Sequence, residues 1–256
     1  MLAIKNSHSR DANITFEEGP HIYTIHGDKS YTSVTTWNHR HFEKFDSSKI
    51  VRAMLRGPKM QDPTYKYFGM TQQQILDQWE QNRNEASQAG TKMHYDIECF
   101  YNGEQVANDS IEFSYFKKFV EAYSHLKPFR TEWMVYYEEL KIAGSIDMVF
   151  ENEAGDLLIY DWKRCNEIEN DKGVYTKYAK TDCIAHLPDT NFWHYALQLN
   201  MYKTIIEHKY GKKVVELCLI RLHPNNQYKT FERIKVPFLE KEMADLIDVR
   251  KQEVRI

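Results

Sequence analysis

Two apolar runs in the middle of the chain, Ile142 to Phe150 and Leu157 to Lys163, read as strands joined by the polar turn Asn152-Glu153-Ala154-Gly155-Asp156. Strand residues two apart share a face, so Leu157, Ile159, Asp161 and Lys163 point one way and Leu158, Tyr160 and Trp162 the other. Arg130 to Glu138 reads as a strand before them, with Glu132 on the face of Met134 and Tyr136. Near the start, Ile14 to Phe16 and His21 to Ile25 flank Glu17-Glu18-Gly19-Pro20 as a hairpin, and His26-Gly27-Asp28-Lys29 makes a second turn. Residues 1–13 read as a loose start. Tyr31 to Thr36 leads into a helix beginning near Trp37. Helical spacing follows: Thr71 caps a helix reaching Tyr101, with room for a break, and Ala86, Met93, Ile97 and Phe100 mark its buried stripe. Ser110 opens another, with Phe113, Phe116, Phe119, Val120 and Tyr123 inside. Beyond the central strands, Thr190 caps a helix ending at Gly211. Val214 to Leu222 and Tyr228 to Val236 form a hairpin around Pro224-Asn225-Asn226, and Phe238 to Arg250 a closing helix. This order predicts an α/β (α+β) fold: one domain with a central mixed β-sheet flanked by helices.

Polar residues set into that apolar pattern carry the chemistry. Asp147 lies within Ile146-Asp147-Met148-Val149-Phe150, and carboxylates are rarely buried without a partner, a hydrogen bond or a metal. Opposed residues of an antiparallel pair share a face. If Glu151 pairs with Leu157, Asp147 falls opposite Asp161; if Phe150 pairs with Leu157, it faces the wrong side. In the first register two carboxylates repel unless a cation or a proton intervenes, and a divalent metal is the simplest resolution. A plain Asp161–Lys163 salt bridge is the competing reading.

Composition narrows the class. The 256-residue chain is 42% hydrophobic and 28% charged, which is the balance of a folded protein with a sizeable core. Its 17 Tyr, 13 Phe and 5 Trp serve packing and base stacking alike. A net charge of -3 argues against a passive nucleic-acid coat, though catalytic carboxylates would mask a basic groove. Cys99, Cys165, Cys183 and Cys218 are scattered, so neither a zinc site nor an iron–sulfur cluster is expected. With no signal-peptide pattern and no long apolar run, the expectation is a soluble intracellular protein that does not meet a membrane. Lys, Tyr and Asn usage hints at an AT-rich source such as a virus or phage.

Several further residues have both a functional and a structural reading. His39 to Lys66 is basic, and Arg52 and Arg56 within it are candidate phosphate contacts; solvated helical charge is the alternative. Gly90, His94 and Glu98 align at i, i+4 and i+8, where Gly90 would admit a close approach and His94 is either a ligand or a packed histidine. The polar stretch 165–189, with Lys172, Tyr175, Lys177, Tyr178 and Lys180, suits a strand-gripping flap or a bystander loop. The hydroxyls of Ser33 and Thr35 fit a phosphate or a helix cap. Gln198 and Tyr202 share a helix face, and Gln198 is hard to place in a core.

Taken in order, Gly144-Ser145-Ile146-Asp147, Asp161-Trp162-Lys163 and Gln198-Leu199-Asn200-Met201-Tyr202 resemble the G-x-x-D, D-x-K and Q-x-x-x-Y motifs of the PD-(D/E)XK nuclease superfamily, RecB-like exonuclease branch. Gly90-Thr91-Lys92-Met93-His94 with Glu98 resembles that branch's G-x-x-x-H-x-x-x-E helix. Tyr31 to Thr36 is similar to the P-S-V-T-T opening of phage and mitochondrial genome maintenance exonucleases, with Thr32 in place of Pro. The resemblance implies a restriction-endonuclease-like αβββαβ core over 81–236, preceded by a hairpin and basic helical region over 14–80 and followed by a closing helix over 237–256. It implies Mg²⁺ or Mn²⁺ held by His94, Asp147, Asp161 and the Trp162 carbonyl, with Glu98 and Glu132 in support. Lys163 would position or deprotonate the attacking water, its pKa depressed by burial near a cation. Gln198 and Tyr202 would orient the site, and Ser33, Thr35, Arg52, Arg56, Arg164, Lys177 and Tyr178 would contact substrate. The implied activity is a DNA exonuclease acting on single-stranded DNA or duplex ends in repair, recombination or replication. A structure-specific endonuclease and a catalytically silent nucleic-acid-binding module are the alternatives; protein partners are not indicated.

Overall fold

The computed structural model describes residues 1–171, 173 and 176–254. Its contacts divide the chain into two compact units, Met1–Glu43 with Met93–Ile256, and Lys44–Lys92. Among the described residues the first unit holds α1 (Leu2–Lys5), β1 (Ile14–Glu17), β2 (Ile22–Ile25), β3 (Thr32–Ser33) and α2 (Val34–His39). The second unit holds α3 (Ser47–Leu55) and most of α4 (Gln72–Tyr101), whose last stretch from Met93 belongs to the first. Then come α5 (Ile111–Ala122), β4 (Lys127–Tyr137), β5 (Ile142–Glu151), β6 (Leu157–Lys163), α6 (Asn191–Lys209), β7 (Val214–Arg221), β8 (Glu232–Lys235) and α7 (Glu240–Val254). The architecture is α/β, with helices on both faces of a mixed sheet.

Strands β3-β5-β6-β7-β8 lie side by side, with β4 on the other flank of β5, in a sheet of six; β1 and β2 pair separately. Neighbours β4–β5, β5–β6 and β7–β8 are antiparallel, while β6–β7 is parallel, so the chain must cross over between them, and α6 is that crossover. Alternation along the strands sends side chains to two cores. Ile159, Val149 and Ile146 pack with α2, α6 and α7 residues such as Trp37, Leu197 and Leu246. Tyr160, Trp162 and Phe150 pack with Met93, Ile97, Phe116 and Phe119 of α4 and α5. A smaller cluster joins Tyr23 and Ile25 of the β1–β2 hairpin to Tyr136 and Ala143.

Several elements depart from the expected ones, each for a visible reason. The helix expected near Trp37 begins at Val34, because the Ser33 Oγ accepts the Thr36 N–H at 3.0 Å and starts it early. The strand expected over 228–236 shrinks to β8, because Lys229 has φ 49° and the Asn226 amide takes the Arg221 and Thr230 carbonyls. The loose start is tied to β4: Asp11 pairs with Arg130 at 2.7 Å and receives the Trp133 indole N–H at 3.0 Å. Stretch 176–190 is folded rather than flap-like, with Ile184 and Leu187 buried, Tyr178 bridged to Pro188 and the Lys180 N–H donating to the His41 carbonyl. Lys172 and Tyr175 lie outside the described residues.

In the second unit, Val51, Tyr67 and Ile75 are buried with Met54, Leu55, Leu76 and Trp79 around them, and the Trp79 indole donates to the Tyr67 hydroxyl at 2.7 Å. Helix α3 is amphipathic. Val51, Met54 and Leu55 turn inward, while Lys49, Arg52 and Arg56, at i, i+3 and i+7, are exposed on the other face.

Candidate metal centre

The register pairs Glu151 with Leu157 and runs to Met148 opposite Tyr160. One step further it sets Asp147 level with Asp161, the arrangement a carboxylate pair required. The ladder stops there, and the Asp147 carboxylate takes the place of a strand partner: the Trp162 N–H donates to its Oδ2 at 3.0 Å. The carbonyl of the same residue accepts from His94 Nε2 at 2.9 Å. One peptide unit on each side of Trp162 thus fixes two candidate ligands. The Trp162 ring holds that backbone in place, buried against Phe116 and Phe119 with ring centroids 5.5 and 5.4 Å away.

A carbonyl oxygen only accepts, so His94 Nε2 is the donor and, in the neutral ring, Nδ1 carries the lone pair. Nδ1 faces Asp147 Oδ2 at 3.4 Å and Glu132 Oε1 at 4.0 Å. Three potential ligand atoms therefore face one another, one of them, Asp147 Oδ2, already receiving the Trp162 N–H. A proton, a donating water or a cation would satisfy that arrangement, and a histidine that gives its second N–H to a carbonyl is how imidazole ligands are commonly oriented. His94, Glu132 and Asp147 each place a ligand atom within 4.8 Å of the others. The donor set of two carboxylates and an imidazole fits Mg²⁺ and, more readily, Mn²⁺.

Glu132 joins this set through an irregularity. Its φ of 42° is left-handed in the middle of β4, where a residue with a side chain is strained. It sits between the pairs Thr131–Met148 and Trp133–Ile146, hence beside Asp147. Alternation slips at the same place, for Ile146 packs in one core and Met148 in the other. The Ser145 hydroxyl donates to Glu132 Oε2 at 2.9 Å. Burial, and then the Asp147 charge, push the Glu132 carboxyl up to about 8. Glu98, one turn along α4 from His94, is also pushed up by burial and then by Glu104, and it adds to the negative potential at Glu132.

Asp161 and Lys163 form a second pair beside the first group. Asp161 is 2% exposed, and its Oδ2 lies 2.6 Å from the Lys163 ammonium. Burial and the Asp147 charge raise its pKa, while Lys163 opposes them. The depression of Lys163 was expected beside a bound cation; among the protein's own groups the balance runs the other way. Burial does disfavour its charge, but Asp161, Asp147 and Tyr195 outweigh burial and hold the ammonium above its ordinary range. On the facing helix, Tyr202 is buried, hydrogen-bonds Gln198 and closes on Gly144, where a Cβ would lie 2.8 Å from Tyr202 Cε1. That approach explains the glycine of the G-x-x-D motif, because any side chain there would displace the tyrosine.

The structure redistributes the expected roles. Glu132, expected in support, groups with His94 and Asp147, whereas Asp161 is tied to Lys163 and the Trp162 carbonyl to His94. Ser33 and Thr35 are bonded to each other at 3.1 Å, and Ser33 caps α2, so these hydroxyls serve the helix start. Arg164 is held 2.6 Å from Glu112, which is itself buried. Gly90 has no protein neighbour, for no described residue lies within 4 Å of where its Cβ would be. Lys177 and Tyr178 are exposed, and Arg52 and Arg56 belong to the separate Lys44–Lys92 unit. Tyr195, whose ring lies under the Lys163 ammonium, was missed; its i, i+3, i+7 spacing with Gln198 and Tyr202 was the signal that could have found it.

No family model matches the chain, and no curated protein matches its sequence. Solved structures do match. SSO0001, at 11% identity, is covered over 77% of its length by 89% of this chain, with a TM-score of 0.34. The protein named "Putative exonuclease" from Eubacterium rectale, at 12% identity, is covered over 83% of its length by 98% of this chain, with a TM-score of 0.38. Superpositions this loose assign no residue. Among the described residues no helix is long and apolar enough to cross a membrane.

Proposed function

We propose that the chain is a divalent-metal-dependent deoxyribonuclease of the PD-(D/E)XK type, RecB-like branch, working as an exonuclease on single-stranded DNA ends. The observation that carries this reading is the convergence of His94 Nδ1, Asp147 Oδ2 and Glu132 Oε1, an imidazole and two carboxylates with ligand atoms within 4.8 Å of one another. The motif order set out above supports the choice of branch and the preference for ends. Mg²⁺ or Mn²⁺ held by His94, Glu132 and Asp147 would supply Lewis acidity toward a phosphodiester and stabilise the charge that builds on its oxygens.

The side chains divide the remaining work. Trp162 fixes the reach of Asp147 and His94 through its peptide groups, so the ligands are set before substrate arrives. Lys163 has three N–H donors, and Asp161 is the carboxylate within ion-pair reach of it among the described residues. A remaining donor can meet a phosphate oxygen or orient the nucleophile. Gln198 and Tyr202 close the side of the site formed by α6.

The test is incubation of end-labelled single- and double-stranded DNA, and of closed circular single strands, with Mg²⁺, Mn²⁺ or EDTA. Label should be released from linear single strands with either metal, not with EDTA, and not by Asp147→Asn. Cutting of the closed circles would convert the reading to an endonuclease. DNA bound without any metal-dependent product would leave a binding module and end the nuclease account.

A further inference from the structure

Helix α6 carries Tyr195, Gln198 and Tyr202 on one face, and the site's mechanism has so far used the last two. Tyr195 meets Lys163: the ammonium Nζ lies 4.5 Å from the centroid of its ring. The tyrosine hydroxyl also neighbours the Cys165 side chain, two residues beyond Lys163. On its other side the ammonium has Asp161 Oδ2 at 2.6 Å.

That carboxylate does not by itself define where the ammonium sits. The pair brings the ammonium against one oxygen, Asp161 Oδ2, and so sets a distance rather than a direction. A lysine is a point charge on a flexible four-carbon stem, and an undirected pair leaves it free to swing about the oxygen. An aromatic face supplies the missing restraint. It attracts the cation through the ring quadrupole, and does so more strongly where water is excluded, as it is around this 16%-exposed side chain.

We propose that Tyr195 is the positioning residue for Lys163, and that the face of its ring, rather than its hydroxyl, sets where the ammonium is presented. The geometric part stands alone; the effect on turnover rests on the nuclease reading. Gln198 and Tyr202, one and two turns further along α6, then act at the Gly144 end of the site while Tyr195 acts at the Lys163 end.

The test uses the full chain with lysine side chains isotopically labelled, Lys163 being assigned by the signal lost in Lys163→Arg. In the wild type the Lys163 ε-methylene protons should be shifted upfield by the ring current. Tyr195→Phe should keep that shift, and Tyr195→Leu should move the signal to the position of exposed lysines while the other resonances report an intact fold. On linear single-stranded DNA with Mn²⁺, Tyr195→Leu should lower kcat about tenfold with KM unchanged, the factor an ordinary cation–π contact provides, and Tyr195→Phe should restore it to within about twofold. An unshifted wild-type signal, an equal shift in Tyr195→Leu, or a Leu variant that turns over like the wild type would each overturn the proposal. If the wild type cleaves nothing, the nuclease reading fails, and the resonance measurement alone decides the role of Tyr195.

Discussion

The two units of this protein differ in how far their positive charges are paired. In the larger unit several cations, the inner ones among them, meet carboxylates: Arg130 with Asp11, Arg164 with Glu112, Lys163 with Asp161, and Arg233 with Glu216, while others such as Lys117 and Lys177 stay exposed. In the Lys44–Lys92 unit, Arg83 approaches Glu80, but Lys44, Lys49, Arg52, Arg56, Lys59 and Lys66 are exposed with no ion-pair partner among the described residues. The unit holds eight Lys or Arg against five Asp or Glu, in a chain whose net charge is -3. Exposed Phe45 and Phe68 lie in the same unit. Paired charges stabilise one fold and one site, whereas unpaired ones beside aromatic rings are suited to a polyanion with stackable bases.

The sharpest way to break that comparison is a double dissociation. Lys163→Ala should lower single-turnover cleavage by about a thousandfold or more, as the loss of a charged group at a reacting phosphate commonly does. Its affinity for an oligonucleotide in EDTA should be unchanged. The triple change Lys49→Ala, Arg52→Ala and Arg56→Ala should do the reverse, lowering the salt slope of single-strand binding by about 2 and leaving the rate at saturating DNA in place. If either variant shows the other's defect, the division is wrong.

Acid should also tell the units apart. His41 in the larger unit is 4% exposed, its Nδ1 lies 2.9 Å from the Thr181 hydroxyl, and its Nε2 has no partner. Burial lowers its pKa from 6.5 to about 4, with Lys180 and Arg40 adding to the effect and Glu253 opposing it. Between those values the unfolded chain binds the proton and the folded one does not, so stability is full above pH 6.5 and is lost as the pH falls toward 4. The loss amounts to about 3 kcal/mol. The Lys44–Lys92 unit has no histidine and no buried charged side chain among its described residues. Hydrogen exchange at pH 7 and pH 4.5 should show accelerated opening around His41 and little change around Val51 and Ile75.

Packing gives the smallest contrast. Gly144→Ala would place a Cβ 2.8 Å from Tyr202 and 3.2 Å from Val34, an overpacking expected to cost about 2 kcal/mol. Gly90→Ala fills open space in α4 and should stabilise by about 0.5–1 kcal/mol. Thermal denaturation of both variants checks the pair, and a destabilised Gly90→Ala would mean that helix has a neighbour.

Much of the frame was legible in the sequence because it follows from periodicity. The turn after Phe150 and the alternation of β6 narrowed the pairing to two registers, of which the structure has the one that brings Asp147 level with Asp161, and helical spacing put His94 on a face beside the Met93 and Ile97 stripe. Glu132 was legible as an acidic strand residue but not as a member of the His94 group, since nothing in a residue string marks φ 42° at a non-glycine. The protein partners of Ser33 and Arg164, Thr36 and Glu112, were not legible either, because which group reaches a side chain is decided in three dimensions. The balance of protein charges around Lys163 was not legible for a related reason. The lysine's pKa depends on the balance between burial and neighbouring carboxylates, and only distances fix that balance.

The peptide groups of Trp162 are shared by Asp147 and His94, and the ring beneath them rests on Phe116 and Phe119. Trimming either phenylalanine would therefore loosen both ligands together, although neither ring is among the groups that would hold the ion. Inactivating substitutions should thus cluster in the aromatic packing of α5 as well as at the acidic residues, and a surviving variant there would show itself first as a higher requirement for metal.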